Sequence, residues 1–334
     1  ILIIPLANIL ILLGVLLALS PGKPQPFLDE NGNPLTGSIS EKIFIEINGV
    51  EQGLFIKGKN TDNPVLLYLH GGMPDYFLTQ KYPVGLEEDF TVVWWEQRGS
   101  GISFHGDIPK GSITLEQLIA DTLTVTDYLR ARFGQEKIYL MGHSGGTFLG
   151  IQVAARHPAL YSAYIGQAQF VYQIESEKRA YEFMLQEFQA RGDTAMAQKL
   201  AAAPVTLESG TPKAYLAVRD TAMHRLVIGT TREMESIITG IFLPSWTFRE
   251  YTLQEKLNLW RGKIRNGVSV FWETSLYTDL RQEVTEFEIP VYFFEGAYDY
   301  TCNKELARDY FEKINAPVKG FYTFEHSAHS PVFE

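Results

Sequence analysis

The chain has 334 residues, of which 45% are hydrophobic and 20% charged, so it can bury a large core and a disordered chain is excluded. Its length predicts about two domains. The formal charge of −10, from 29 basic and 39 acidic residues, disfavours a nucleic-acid partner, because proteins that bind phosphate backbones usually carry basic surfaces. A single cysteine, Cys302, excludes a disulfide framework and a multi-cysteine metal site within the chain.

The first segment is strongly apolar. Residues 1–19 read ILIIPLANILILLGVLLAL, and Asn8 is the only polar side chain among them. As a helix this segment would be roughly 28 Å long, close to the thickness of the bilayer hydrocarbon. We therefore predict a transmembrane anchor over residues 1–20 that places the protein on a membrane, with the lipid bilayer as the partner of residues 1–19. A cleaved signal peptide and a helix packed on protein are the alternatives.

Residues 21–39 are rich in Pro, Gly and Asn and are predicted to form a linker. An alternating pattern follows on both sides of Asn48-Gly49, which predicts an antiparallel hairpin. Short apolar runs then alternate with helical patterns, which is typical of a mostly parallel sheet covered by helices. The predicted strands are 65–69, 91–95, 137–141, 162–165 and 290–295, and the predicted helices include 114–133 and 304–313.

Strand patterns are missing between about residues 172 and 270. The stretches 175–202 and 253–265 are helix-forming, and prolines punctuate the interval. A helical insertion of this size in an α/β sheet is typical of a cap domain. We therefore predict a core formed by residues 40–171 and 271–334, interrupted by a helical cap at 172–270.

The most informative motif is GHSGG at residues 142–146, which follows a predicted strand and precedes a helical run. This is a G-x-S-x-G pattern in the strand–turn–helix context that makes it meaningful. Glycines allow a turn sharp enough to raise the serine hydroxyl above the sheet edge, and the helix N-terminus behind it favours negative charge. Ser144 is therefore the candidate nucleophile.

A serine nucleophile needs a base, and the base needs an orienting acid. Hydrolases of this architecture supply them in the chain order serine, acid, histidine. Asp299 follows the predicted strand 290–295 and is the candidate acid; Asp279 is a rival that follows no apolar strand. His326 and His329 both follow a further predicted strand at 320–324, and His329, just before a Ser-Pro pair, is the chosen base.

Two backbone amides are expected to form an oxyanion hole. One is that of Gly145, directly after the nucleophile, and the other lies in the loop HGGMP at residues 70–74. Gly72 is the chosen donor in that loop, with Met73 as the alternative. The sequence contains no H-E-x-x-H motif, so we expect no metal site and no cofactor.

Five ordered motifs together resemble a known family. HGG at 70–72, WEQRGSG at 95–101, GHSGG at 142–146, GAYD at 296–299 and SAHSP at 327–331 are similar to an α/β-hydrolase of the proline iminopeptidase-like branch. The resemblance covers residues 40–334 and implies Ser144 as nucleophile, Asp299 as acid and His329 as base. Two positions depart from the family pattern. The family's H-G-G-P-G is HGGMP here, and its tryptophan after the serine is Gly145.

The resemblance implies a serine hydrolase that works through an acyl-enzyme, with an aminopeptidase of proline iminopeptidase type as the first candidate and a small molecule or short peptide as substrate. In such peptidases acidic cap residues hold the substrate amine, and Glu175 and Glu177 are the candidates here. A carboxylesterase or lipase-like enzyme acting on lipidic acyl esters is the alternative. A non-catalytic binding protein is the candidate from a different class. The oligomeric state stays open.

Overall fold

The computed structural model describes residues 3–267 and 269–334. One sheet of eight strands runs through the described part of the chain. The strands are β1 Ile39–Ile47, β2 Val50–Gly58, β3 Val65–Leu69, β4 Thr91–Glu96, β5 Ile138–His143, β6 Tyr161–Gln167, β7 Val291–Gly296 and β8 Lys319–Phe324. Their order across the sheet is β1-β2-β4-β3-β5-β6-β7-β8. The pairs β1·β2 and β2·β4 are antiparallel and the other pairs are parallel, so the predicted mostly parallel α/β fold is confirmed.

The antiparallel edge begins with the predicted hairpin. Asn48 and Gly49 connect β1 to β2 with φ angles of 47° and 76°, the left-handed conformation that a two-residue hairpin turn requires. The central strands are buried on both faces, which explains their nearly continuous apolar sequences; all five residues of β3 and all six of β4 are buried.

Helices cover the sheet and fill the interval between β6 and β7. They are α1 Ile3–Ala18, α2 Leu115–Phe133, α3 Gly145–Arg156, α4 Gln173–Ala190, α5 Thr194–Ala201, α6 Lys213–Arg225, α7 Leu243–Thr247, α8 Leu253–Asn266, α9 Val270–Tyr277, α10 Leu280–Glu283 and α11 Lys304–Lys313. The predicted stretch 175–202 divides into α4 and α5, because Gly192 turns the chain with φ 71° and Asp193 caps α5 by accepting the N–H of Met196.

The helices of the predicted cap have their own apolar cluster. Met184 on α4, Leu200 on α5 and Tyr215 on α6 are fully buried in it. The main core lies between the sheet and helices α2, α3 and α11. The predicted boundaries of linker, core and cap stay a prediction.

The predicted membrane anchor is wrong. In the part of the chain described, none of the helices combines the length and the apolar character that crossing a bilayer requires. In the described residues, the helix α1 is Ile3–Ala18 and has 16 residues. Residues 1 and 2 lie outside the described residues. The predictions of a lipid bilayer partner and of a membrane localisation depended on the anchor and are withdrawn with it.

The chain directly after α1 contacts the domain. Lys256 Nζ donates a hydrogen bond to the carbonyl of Leu19 at 2.8 Å, and the amide of Gly22 donates to the carbonyl of Arg249 at 3.1 Å. These contacts join the C-terminal end of α1 to the start of α8.

Candidate active site

Ser144 lies at the turn between β5 and α3. Its φ of 54° and ψ of −126° are a sparsely populated combination for a residue with a side chain, and such strain clusters at functional sites. Two of the motif's three glycines are required by close approaches: a Cβ on Gly146 would lie 2.0 Å from the carbonyl oxygen of Leu69, and one on Gly142 would lie 2.7 Å from that of Gly146. The tight turn aims the N-terminus of α3 at the region around Ser144 Oγ.

The candidate base and the candidate acid come from two loops at the C-terminal edge of the sheet. His329 Nε2 lies 2.9 Å from Ser144 Oγ, and its Nδ1 lies 2.9 Å from Asp299 Oδ2. All three side chains are buried, with Asp299 only 2% exposed. Of the alternatives considered above, His326 is exposed, and Asp279 caps α10 and pairs with Arg281.

Asp299 is held from two sides. Its Oδ1 accepts the N–H groups of Thr301 and Cys302 at 2.8 and 2.9 Å, so only Oδ2 faces the imidazole. Burial, reinforced by the negative charge of Asp299, raises the pKa of nearby Glu295 well above its usual range. Both effects favour the neutral form of Glu295 and so oppose a second negative charge beside Asp299.

Glycines also line the approach to Ser144. A Cβ on Gly71 would lie 2.9 Å from Ser144 Cβ, so the loop after β3 runs directly against the serine. No turn or loop hydrogen bond among residues 3–267 and 269–334 uses the amides of Gly72 or Gly145. The indole of Trp272 lies 3.3 Å from where a Cβ on Gly145 would be, and thus occupies the space beside that glycine.

The loop after β3 is tied to the sheet by His70. Its Nε2 accepts the N–H of Gln97 at 3.1 Å, and the Gln97 side chain donates to the His70 carbonyl at 3.0 Å. Burial lowers the pKa of His70 to about 4, so the ring is neutral in neutral solution and can accept this hydrogen bond. The ring thereby fixes where the glycines after it lie.

A second histidine–carboxylate pair adjoins the first. His143 Nδ1 lies 3.0 Å from Asp75 Oδ2, and its Nε2 lies 3.1 Å from the carbonyl oxygen of His329. Tyr68 donates its phenolic hydrogen to the same carboxylate oxygen at 2.8 Å. The pair thus links the loop after β3 to the backbone of His329. Sequence reasoning missed both Asp75 and His143, although His143 stands inside the motif, beside Ser144.

A cavity of about 530 Å³ opens in front of Ser144 and His329. Its walls come from the loop after β3 and from helices α4, α6, α8 and α9, which lie in the predicted cap or at its end. Met223, Trp260 and Trp272 supply apolar surface, whereas Arg219 and Lys263 bring positive charge. Sequence reasoning missed the two basic residues.

The two glutamates predicted to hold a substrate amine lie in different places. Glu177 lines the cavity, but both its oxygens bind Arg219, at 2.6 and 2.7 Å, and Oε2 also accepts the hydroxyl of Tyr215 at 2.9 Å. Glu175 is not among the residues lining the cavity and pairs with Arg179 and Arg281 at 2.6 and 2.8 Å. Neither carboxylate is left without a cationic partner.

One group of side chains has a geometry that a metal ion could use. Ligand atoms of Asp299, Cys302 and His329 lie within 4.8 Å of one another. Burial raises the pKa of the Cys302 thiol well above its usual range, with the charges of Asp299 and Glu295 adding to the effect. The thiol is therefore protonated in neutral solution and a poor metal ligand, and His329 Nδ1 is directed at the carboxylate.

The fold and the motif at Ser144 define the class of protein. The family model described as alpha/beta hydrolase fold matches residues 64–334, and the chain belongs to this family. It is accordingly a hydrolase, and the resemblance drawn from the five motifs is confirmed.

The chain is also similar to individual proteins. A protein from Bacillus subtilis (strain 168) described as the probable aminopeptidase YbaC is 30% identical over 312 residues, which are 90% of this chain and 94% of that protein. A proline iminopeptidase-related protein from Thermus thermophilus has a similar structure, with a TM-score of 0.59 at 21% identity over 87% of this chain and 91% of that one. A proline iminopeptidase from Mycobacterium smegmatis gives a TM-score of 0.58 at 16% identity, with 86% and 91% covered. At these identities the two structures establish the fold alone.

Proposed function

We propose that the protein is a serine hydrolase in which Ser144 is the nucleophile, His329 the general base and Asp299 the orienting acid. The observation that carries the proposal is the pair of 2.9 Å contacts that joins Ser144 Oγ to His329 Nε2 and His329 Nδ1 to Asp299 Oδ2. These are the distances at which a proton can pass between the groups. The cavity in front of Ser144 gives a substrate access to the hydroxyl.

The reaction proceeds by two transfers of the acyl group. Ser144 Oγ forms a bond to the substrate carbonyl carbon while its proton passes to His329 Nε2, and the amides of Gly72 and Gly145 bind the oxyanion. The oxyanion collapses, the bond to the leaving group breaks, and His329 returns the proton to that group. Water then attacks the acyl-enzyme with His329 again as base, which releases a carboxylic acid and restores Ser144.

An aminopeptidase is the first candidate for the activity of this site. The Bacillus subtilis relative, described as a probable aminopeptidase, extends over 90% of the chain. Such an enzyme would cleave the amide bond after an N-terminal residue, proline included.

Ester hydrolysis is the second candidate, and one observation favours it. Arg219 and Tyr215 occupy the oxygens of Glu177, so the glutamate that lines the cavity offers no unpaired carboxylate to a substrate amine. A panel of amino-acid arylamides and aryl esters, each with a free and an N-acetylated amine, separates the candidates. An aminopeptidase loses activity on acetylation, whereas an esterase keeps it and prefers the esters.

A fluorophosphonate probe tests the mechanism itself. We expect the probe to label the wild type and to leave Ser144→Ala unlabelled, because the reagent reacts with an activated serine. Ser209→Ala, which alters an exposed serine of the helical insertion, is the matched control and should be labelled like the wild type. Equal labelling of Ser144→Ala and wild type would refute the assignment of the nucleophile.

A further inference from the structure

Lys263 extends from α8 into the space beside the oxyanion loop. A Cβ on Gly72 would lie 3.2 Å from Lys263 Nζ, so the ammonium is next to the glycine proposed as an oxyanion donor. Lys263 keeps exposed surface, and it lines both the cavity in front of Ser144 and a smaller one beside His70. Part of the side chain therefore faces the cavity in front of Ser144.

Among the described residues the ammonium has no partner. Burial lowers the pKa of the Lys263 amine, the negative charge of Asp220 opposes this shift, and Arg219 adds to it. Within the part of the chain that the structure describes, Lys263 Nζ has no hydrogen bond and no ion pair. A cation held in protein surroundings without a counter-ion is costly, and a bound anion would relieve that cost.

The other charged groups around the cavity each have an ion-pair or hydrogen-bond partner. Asp75 lies against His143, Asp299 against His329, and Arg219 binds both Glu177 and Asp220. Of the basic groups that line this cavity, Lys263 is the one whose charge the described residues leave uncompensated. The cavity therefore has a local positive charge close to where the substrate carbonyl would be bound.

The position of Lys263 is fixed by its helix. A Cβ on the preceding Gly262 would lie 2.8 Å from the carbonyl oxygen of Gly99, so α8 packs against the loop after β4 as closely as only glycine permits. The capping box of Thr252 and Glu255 anchors the start of the same helix. The backbone that carries Lys263 thus has little freedom to move it away from Gly72.

We propose that Lys263 binds a carboxylate of the substrate, so that the preferred substrates are acyl compounds with a carboxylate near the scissile bond. This inference rests on the proposed serine hydrolase function. The carboxylate can belong to the acyl group, as in the monoester of a dicarboxylic acid, or to the leaving group, as in a short peptide with a free C-terminus. The chemistry at Lys263 is the same in both, a charge-assisted hydrogen bond to a carboxylate oxygen.

Two matched ester pairs show whether the carboxylate belongs to the acyl group or to the leaving group. Mono-4-nitrophenyl adipate and 4-nitrophenyl hexanoate differ by a carboxylate on the acyl side, and 4-hexanoyloxybenzoate and its methyl ester differ by one on the leaving side. We expect the wild type to prefer the carboxylate in one pair by about tenfold in kcat/KM, the effect of one hydrogen bond between charged groups. Lys263→Met should abolish that preference and Lys263→Arg should keep it.

The control and a binding measurement complete the test. Arg261→Gln alters an exposed cation on the same helix, outside the residues that line the cavity, and should leave the preference unchanged. Binding of monomethyl adipate and methyl hexanoate to Ser144→Ala, with and without Lys263→Met, is measured by calorimetry and does not depend on turnover. No preference in either pair, or a preference that survives Lys263→Met, overturns the proposal. Hydrolysis that survives Ser144→Ala instead overturns the serine hydrolase function.

Discussion

Ser144 has a backbone conformation that costs on the order of 1–3 kcal/mol, and its surroundings keep it there. Its amide donates to the carbonyl of Gln167 at 3.0 Å, and its own carbonyl accepts the N–H of Thr147 at 2.8 Å. These bonds hold the turn between β5 and α3 in the geometry that directs Oγ toward His329. At the scale of single residues, the site depends on such fixed orientations more than on the mere presence of the side chains.

The orientation of His329 gives the first prediction. Asp299→Asn removes the carboxylate that accepts from Nδ1, so the ring loses both its tautomer preference and the stabilisation of the charged imidazolium. We expect kcat/KM to fall by about 10³- to 10⁴-fold.

Steady-state hydrolysis of an activated ester measures the effect. Asp279→Asn is the matched control, because Asp279 caps α10 and pairs with Arg281 instead of lining the cavity. Asp299→Asn with a rate near that of the wild type would contradict the proposed role of the acid.

At the scale of elements, loops meet at distances that exclude side chains. A Cβ on Gly296 would lie 1.9 Å from the carbonyl oxygen of Ala328, so the end of β7 touches the loop that carries His329. The start of α3 likewise touches the end of β3 through Gly146. These contacts place the loops bearing Ser144, Asp299 and His329 side by side.

The contact of α3 with β3 gives the second prediction. In Gly146→Ala the new methyl group would lie 2.0 Å from the carbonyl oxygen of Leu69, a backbone atom that can move only if the strand moves. We expect the free energy of unfolding to fall by about 3 kcal/mol or more.

Urea unfolding followed by circular dichroism measures the loss. Gly106→Ala is the control, since no atom lies within 4 Å of a Cβ at that position, and its stability should stay near that of the wild type. Equal stabilities of Gly146→Ala and Gly106→Ala would contradict the prediction.

At the scale of the whole molecule, buried polar groups join the sheet to the helical insertion. Glu96 at the end of β4 accepts the hydroxyl of Tyr251, which precedes α8, and the N–H of Ile102 at 2.6 Å. A Cβ on Gly101 would overlap Glu96 Oε2, which explains the last glycine of the WEQRGSG motif. Burial raises the pKa of Glu96 to about 8.

This raised pKa gives the third prediction, a pH dependence of stability. The folded state holds the proton of Glu96 more tightly than the unfolded state, whose ordinary pKa is 4.5. The contribution of Glu96 is therefore fully present below about pH 4.5 and is lost as the pH rises to about 8. Glu96→Gln, which cannot lose a proton, should gain stability over the wild type by about 1.4 kcal/mol per pH unit across this window.

Urea unfolding of both proteins at pH 5, 6, 7 and 8 measures the difference. Glu46→Gln on β1 is the control, because Glu46 is exposed, and its difference from the wild type should not change with pH. A constant difference for Glu96→Gln would refute the prediction.

Local pattern was sufficient for the elements near the site. The strand β3 and the helix α11 have the predicted bounds, since buried strands and capped helices leave a signature within a few residues of sequence. The anchor prediction failed because an apolar composition over residues 1–19 does not specify the length of a helix, and no helix of the described residues is both long and apolar enough to cross a membrane.

The sequence by itself determined the fold, the family and the position of the serine motif, because strand periodicity and the GHSGG turn are properties of neighbouring residues. Only the tertiary structure decided the charge of the cavity. Arg219 neutralises Glu177 from 42 positions along the chain, Asp75 lies 68 positions from His143, and Lys263 stands beside Gly72 without a counter-ion among the described residues. The packing of helices on the sheet decides which side chains so far apart in the sequence form pairs. No local sequence pattern predicts which carboxylate a distant cation will bind.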